Sequence, residues 1–269
     1  MNHQLRIIKN FVPLLLKKNN LISIETEGVF GEKFTIKQKD KNWCFGFLNE
    51  DKYQGWLKSN SIGTMDRPNF IVNVPKTLIL KSPEIKSVPI DHLSIGSQVY
   101  VKKFIDVWAE ISFFKKNILI NGYIHTSHLQ AISSLSKDWV KIAESMIGVP
   151  YKWGGKTSFG IDCSGLLQIS LKSVGIKAPR NSIHQLKFLG YDIFAKKELM
   201  LNNCLNLLDG KIKRGDLIFW EGHVAIVNSK STILHANIDT NNVAIQDSKE
   251  IIEKYSSKGL YPLAIKRML

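Results

Sequence analysis

The sequence predicts a multidomain chain, two small all-β barrels followed by an α+β domain, and three observations carry that reading. A degenerate repeat runs through the first half of the 269 residues, short segments there alternate apolar and polar side chains, and beyond Ser133 the apolar spacing becomes first helical and then strand-like. The length accommodates more than one domain, since domains commonly run to ~100–150 residues. The expected division is 1–66 for the first barrel with an N-terminal extension, 67–132 for the second, and 133–269 for the α+β domain.

Gly31 stands twelve residues before Trp43, and Gly96 twelve before Trp108. A glycine-aromatic pair follows each tryptophan, Gly55-Trp56 and Gly122-Tyr123, and an aliphatic residue lies seven positions after each of these glycines, Ile62 and Leu129. Between the landmarks, Lys33–Lys37 and Gln98–Lys102 alternate with the period of two of half-buried strands, and Asp40-Lys41-Asn42 and Asn49-Glu50-Asp51 supply turns. Units of this kind close as small barrels of short antiparallel strands. The two resemble tandem bacterial SH3-like domains, with a boundary near Asp66-Arg67-Pro68.

In the last part, Ser136 is placed to cap a helix carrying Trp139, Val140, Ala143, Met146 and Ile147, which Gly148 and Pro150 end. A second helix is expected from Asp162-Cys163 to Gly175. Five strand-like runs follow: Asp216–Trp220, His223–Val227, Thr232–His235, Val243–Ile245 and Leu263–Ile265. The stretch from Tyr191 to Asp209 fits neither period and is taken as a loop or short helices beside the site.

Composition narrows the class. Apolar residues make up 44% and charged residues 22%, the proportions of an ordinary globular core. No run approaches the ~20 apolar residues of a membrane span, and Phe11–Leu16 leads into Lys17-Lys18 rather than a cleavage site, so a cytoplasmic protein is expected. Three cysteines, Cys44, Cys163 and Cys204, are too few and too odd for a disulfide framework. The formal charge of +14 would draw anionic partners, but the lysines are scattered, so it is taken as a bias of composition and no nucleic acid or stable membrane association is expected.

The chemistry concentrates in Tyr151-Lys152-Trp153-Gly154-Gly155 and Gly160-Ile161-Asp162-Cys163-Ser164-Gly165. A thiol in the first turn of a helix faces unpaired backbone N–H groups and the positive end of the macrodipole, which favours the thiolate. Such a nucleophile needs a base and an orienting partner. Gly222-His223-Val224-Ala225-Ile226-Val227 and Ile233-Leu234-His235-Ala236 are joined by the turn-forming Asn228-Ser229-Lys230-Ser231. A hairpin centred on Ser229 sets His223 opposite His235 to within a residue, so that one imidazole orients the other. Each residue also has a structural reading: Cys163 as a small core residue, the histidines as satisfied core or surface groups, Asp162 as a helix cap.

Taken together, these blocks resemble the NlpC/p60 cysteine peptidases, papain-like in fold, over about Ser133 to Leu269. Members hydrolyse amide bonds in peptidoglycan peptides. The closer resemblance is to a branch with tandem SH3-like domains, cytoplasmic dipeptidyl peptidases that cleave after γ-D-glutamate in stem peptides with a free N-terminal L-alanine, in murein peptide recycling. The resemblance implies Cys163 as nucleophile, His223 as base, His235 as the third polar residue and Tyr151 as an oxyanion donor. It implies Asp162, Ser164 and Ser182 at the substrate's amino end, Trp153 as a further substrate contact, and Tyr53 closing the pocket from the first barrel, although Tyr53 also suits barrel packing. Asn181 stands where the branch often has Asp. The expected partner is a small murein peptide bound to a monomer, with no metal or organic cofactor. Two other classes compete: a non-catalytic cell-wall-peptide binding protein, and an acyltransferase on the same fold.

Overall fold

The computed structural model describes residues 4–18, 24–115, 118–135, 137–194, 199 and 211–268. The N-terminal half is almost wholly β and rests on two five-stranded antiparallel sheets of matching strand order. From edge to edge the first runs Ile24–Val29, Phe11–Leu15, Gln54–Lys58, Trp43–Leu48, Phe34–Asp40; the second runs Pro89–Ser94, Lys76–Leu80, Ile118–His125, Trp108–Lys115, Val101–Ile105.

The repeat landmarks occupy equivalent places, and their chemistry explains why they recur. Trp43 and Trp108 each open the same strand of their sheet and are buried. Gly31 and Gly96 turn the chain with φ of 82° and 78°, a region that costs other residues a steric clash. Gly55 and Gly122 lie in neighbouring strands where the sheet folds tightly on itself: a Cβ at Gly122 would stand 2.3 Å from Ile79 Cγ2, and one at Gly55 2.9 Å from Leu14 Cβ. Ile62 and Leu129 each follow a single 3-10 turn, Ser59–Ser61 and Thr126–His128.

The alternating run Gln98–Lys102 is not one strand. It breaks at Tyr100, so that Gln98–Val99 pairs with Phe70–Val72 in a separate three-stranded sheet while Val101–Ile105 joins the five-stranded one. One core gathers Leu14, Phe34, Leu48 and Leu57; the other gathers Ile79, Leu93, Ile111 and Phe113, and draws in Ile8 and Phe30 from the first part of the chain. Each such buried side chain contributes roughly 1.5–3 kcal/mol, so the two β units are cemented together as well as internally.

The C-terminal part is α+β. A six-stranded antiparallel sheet runs Tyr191–Asp192, Ala264–Arg267, Leu217–Trp220, His223–Val227, Thr232–Asn237, Asn242–Asp247. Both faces are covered, which is why its central strands are continuously apolar rather than alternating. Leu217, Phe219, Val224 and Ile226 pack with Leu166 and Leu167 of the helix Cys163–Lys172, whereas Ile218, Trp220, Ala225 and Val227 pack with Ile251 and Ile252 of the helix Ser248–Ser256. All ten residues of Cys163–Lys172 are buried.

Several local expectations change. Ser136 lies outside the described residues; Asp138 caps the first helix, accepting from Lys141 N at 3.1 Å. That helix covers only Trp139–Glu144, so Ile147 falls beyond it and is half exposed. Tyr191–Asp192 is an edge strand rather than loop, and most of the stretch to Asp209 lies outside the described residues. The helices Ser182–Phe188 and Ser248–Ser256 were not anticipated.

Candidate active site

The nucleophile is built by the start of the buried helix. Asp162 is its N-cap, with extended backbone and a carboxylate that accepts from Gly165 N at 2.7 Å. This places Cys163 at the first helical position, its sulfur against the strand that begins at His223: Sγ lies 3.9 Å from the carbonyl oxygen of Gly222, and the backbone N–H of Val224 also reaches it. The thiol therefore sits on the main chain immediately either side of His223. Gly222, at φ 70°, makes the tight turn between Leu217–Trp220 and His223–Val227, in which Trp220 pairs with His223.

The two histidines meet, though not by the expected register. Ile226 faces Leu234, so the hairpin is centred on Lys230 rather than Ser229, and His235 stands diagonally from His223. Diagonal neighbours remain within reach of long side chains: the ring centroids are 5.1 Å apart and His223 Nε2 lies 2.8 Å from His235 Nδ1. His235 Nε2 is in turn 2.8 Å from Gln246 Oε1. The ring nitrogen of His223 that His235 does not occupy is Nδ1.

Electrostatics reverse one expectation. Burial, and then the charge of Asp162, push the Cys163 thiol up to about 12; the Val224 N–H, the Arg180 guanidinium and the Ser164 N–H oppose this without overcoming it. Burial and the neighbouring His235 lower His223 to about 3. Burial thus works against the helix dipole and favours thiol and neutral imidazole over an ion pair, an arrangement in which the proton moves as the sulfur attacks.

Beside His223 lies a cleft of about 380 Å³, whose lining includes Tyr151, Trp153, Trp220, His223, Asp239 and Tyr255. Tyr151 is raised to about 12 by burial and by the Cys163 and Asp162 charges, so its hydroxyl remains a donor. Trp153 is 70% exposed and forms the outer rim.

Asp162 and Ser164 are engaged within the protein. Arg180, 3% exposed, holds Asp162 in a bidentate pair at 2.9 and 2.6 Å and donates to Ser164 Oγ at 2.8 Å. Ser164 Oγ donates to Asp162 Oδ1, and Gly154 N to Oδ2. The helix-cap reading of Asp162 thus describes its geometry. The carboxylate beside Tyr53 is the half-buried Glu25: Tyr53 OH donates to Glu25 Oε2 at 2.9 Å and also bonds Asn181. Ser182, next in the chain, is half-buried at the start of its helix.

The N-terminal β region is clamped onto this site through buried charge. Arg180 Nε donates to Thr26 Oγ1 at 2.7 Å, Lys156 N to Glu27 Oε2 at 3.0 Å, and Lys152 pairs with Glu27. Glu32 accepts from Lys156 and Lys172 at 3.0 and 2.8 Å, and Lys172 also meets Glu50. Burial alone would raise Glu32, but Lys156 and Lys172 hold it down to about 2.

Sequence reasoning missed Arg180, Glu25, Asn237 and Gln246. Arg180 had a signal, since a buried capping carboxylate needs a cation and Arg180 lies in the Arg180-Asn181-Ser182 run; the others are distant in sequence and carry no motif. Among the described residues no group of three or more His, Cys, Asp or Glu is arranged to hold a metal, and Cys44 and Cys163 are free thiols. Cys204 lies outside the described residues.

Residues 148–260 match the model of the NlpC/P60 family, and residues 22–62 that of the bacterial dipeptidyl-peptidase Sh3 domain. The C-terminal domain belongs to the NlpC/P60 family of cysteine peptidases. Dipeptidyl-peptidase 6 of Lysinibacillus sphaericus is 24% identical, over 80% of either chain, and the gamma-D-glutamyl-L-lysine dipeptidyl-peptidase of Bacillus cereus is 23% identical, over 90% of this chain and 76% of that one. A crystal structure of an NlpC/P60 family protein from Bacillus cereus superposes with a TM-score of 0.78 at 18% identity, covering 99% of both chains, and so shares the fold from end to end. The chain is a cysteine peptidase whose NlpC/P60 domain follows a mostly β region, and no helix among the described residues is long and apolar enough to cross a membrane.

Proposed function

We propose that this chain is a dipeptidyl-peptidase that hydrolyses the γ-D-glutamyl–diamino acid amide bond of peptidoglycan stem peptides bearing a free N-terminal L-alanine, in the cytoplasmic recycling of wall fragments. The reading is supported by the names of the relatives above. One observation carries it: Glu25 and Tyr53, from the β region, stand with Asn181 one residue from the arginine that braces the nucleophile's helix. An ammonium group needs an anion and acceptors in a half-buried setting, and Glu25, with the Tyr53 and Asn181 oxygens, supplies both. A wall of this kind, contributed by the first of two SH3-like barrels, blocks polymer and admits short peptides with a free amine. The units are residues 1–66, 67–132 and 133–269.

In the mechanism, Cys163 Sγ attacks the γ-carbonyl carbon as its proton passes to His223 Nδ1. The oxyanion is met by the Cys163 backbone N–H, unpaired at the helix start, and by the Tyr151 hydroxyl. His223 returns the proton to the leaving amine, releasing the diamino acid, and water then hydrolyses the thioester with His223 again as base. Ser182 and Trp153 line the peptide's path, and Asp162 and Ser164 act through the nucleophile they brace.

The test is mass spectrometry of products from a pool of stem peptides, with wild-type protein and Cys163→Ala. Release of a diamino acid by the wild type alone supports the assignment; cleavage by both proteins sinks it. Equal rates on L-Ala-γ-D-Glu-diamino acid and its N-acetyl form reject the amine pocket while leaving the peptidase intact.

A further inference from the structure

We infer that Gln246 is a positioning residue that fixes which nitrogen of His223 is bare, acting through His235; the inference rests on the peptidase reading above. The chain of reasoning begins at a group with no ambiguity. Thr240 N lies 2.9 Å from Asn237 Oδ1, and a backbone amide can only donate, so that atom is the side-chain carbonyl and Asn237 Nδ2 is a donor. Asn237, 3% exposed, directs Nδ2 to Gln246 Oε1 at 3.2 Å, which orients the Gln246 oxygen toward the histidines. His235 Nε2, 2.8 Å from the same oxygen, must then carry its hydrogen. His235 Nδ1 is left as an acceptor, and His223 Nε2, 2.8 Å away, must donate to it. A neutral His223 so bound has a lone pair on Nδ1, the tautomer able to take a proton from the thiol.

Nothing in two adjacent imidazoles chooses this direction by itself: with every hydrogen moved to the other nitrogen the pair satisfies itself equally well and His223 presents N–H to the sulfur. The acceptor-only oxygen of Gln246 breaks the tie. Being neutral, it also leaves His235 uncharged, where a carboxylate would hold an imidazolium. The other titratable groups around the pair and its cleft are Cys163 on the buried helix, Tyr151 across the cleft, Glu221 in the turn before His223, Asp239 after the strand Thr232–Asn237, and Lys254, Tyr255 and Lys258 on or just past the helix Ser248–Ser256. Asp239 is engaged by Lys254 at 2.9 Å.

Two variants and one spectrum test this. Gln246→Leu removes the acceptor, and kcat is expected to fall roughly tenfold or more with KM within about twofold, because the base and not the binding is impaired. Gln246→Glu keeps an acceptor oxygen: activity recovers on the alkaline side, but the acid limb of kcat/KM moves up by about one pH unit or more, since His235 must first lose the proton the carboxylate stabilises. Long-range ¹⁵N correlation of the wild-type histidine rings should show His223 protonated at Nε2 and bare at Nδ1. A Nδ1–H tautomer in that spectrum overturns the inference whatever the variants do, and so do two variants with wild-type pH profiles. If no stem peptide is hydrolysed at all, it is the peptidase reading that fails, and the spectrum still decides the direction of the relay.

Discussion

Glu32→Gln removes the charge at the centre of the clamp while preserving its shape. In the native protein the Glu32 carboxyl, 3% exposed, receives the ammonium groups of Lys156 and Lys172 and the Val29 N–H, and it titrates at about 2 against an ordinary value of 4.5. That difference corresponds to about 3 kcal/mol at 1.36 kcal/mol per unit, in line with the ~3–5 kcal/mol that follows when one partner of a buried pair is removed. Lys172 keeps Glu50, whereas the buried Lys156 ammonium is left facing a neutral amide. Since the folded value is depressed, the stabilisation is complete above 4.5 and is lost as pH falls toward 2. Urea unfolding followed by tryptophan fluorescence should therefore show the variant about 3 kcal/mol less stable at pH 7, with the gap narrowing below pH 4.5. A gap under about 1 kcal/mol at pH 7, or one unchanged between pH 7 and 3, would refute the electrostatic account of the clamp.

Three further outcomes are expected. Iodoacetamide should alkylate Cys163 slowly at pH 7 and faster as pH rises, because the thiol is raised to about 12 and His223 rests neutral; a rate already on its plateau below pH 7 would mean a preformed thiolate–imidazolium pair. Glu25→Gln should lower kcat/KM for free-amine stem peptides about tenfold or more, the worth of a charged hydrogen bond, while leaving the N-acetyl peptide unchanged; equal losses on both would remove Glu25 from the pocket. Gly122→Ala should destabilise the chain by roughly 1–3 kcal/mol in thermal or urea unfolding, because its Cβ would stand 2.3 Å from Ile79 Cγ2, and an unchanged midpoint would contradict that contact.

Much of this was legible in the residues because the signals were local. Gly31 and Gly96 mark left-handed turns, Gly55 and Gly122 mark close approach, and each does so by lacking a Cβ, a property visible in one letter. The helix starting at Asp162-Cys163 and the strand of His223 followed from capping and periodicity. What failed depended on distance or on competition between large terms. The hairpin register slipped by one turn position because Asn228 to Ser231 offer several equivalent turns, and only cross-strand packing of Ile226 on Leu234 chooses among them. The thiolate expectation weighed the helix dipole, which a sequence reveals, against a burial it does not. Glu25 carries no motif, and although Asp162 lies only 18 positions before Arg180, nothing local reveals that Thr26 reaches the same guanidinium from 154 positions upstream.

That single guanidinium also governs how the protein can be cut and rejoined. With one edge it grips the loop that presents the reactive sulfur, and with another a threonine more than a hundred positions upstream. A fragment starting at residue 133 would retain every motif of its family and yet leave Arg180, Lys156 and Lys172 turned toward water where a protein wall had been. The leading strands are thus part of the enzyme's interior rather than an accessory, and chimaeras that exchange them must carry Thr26, Glu27 and Glu32 along.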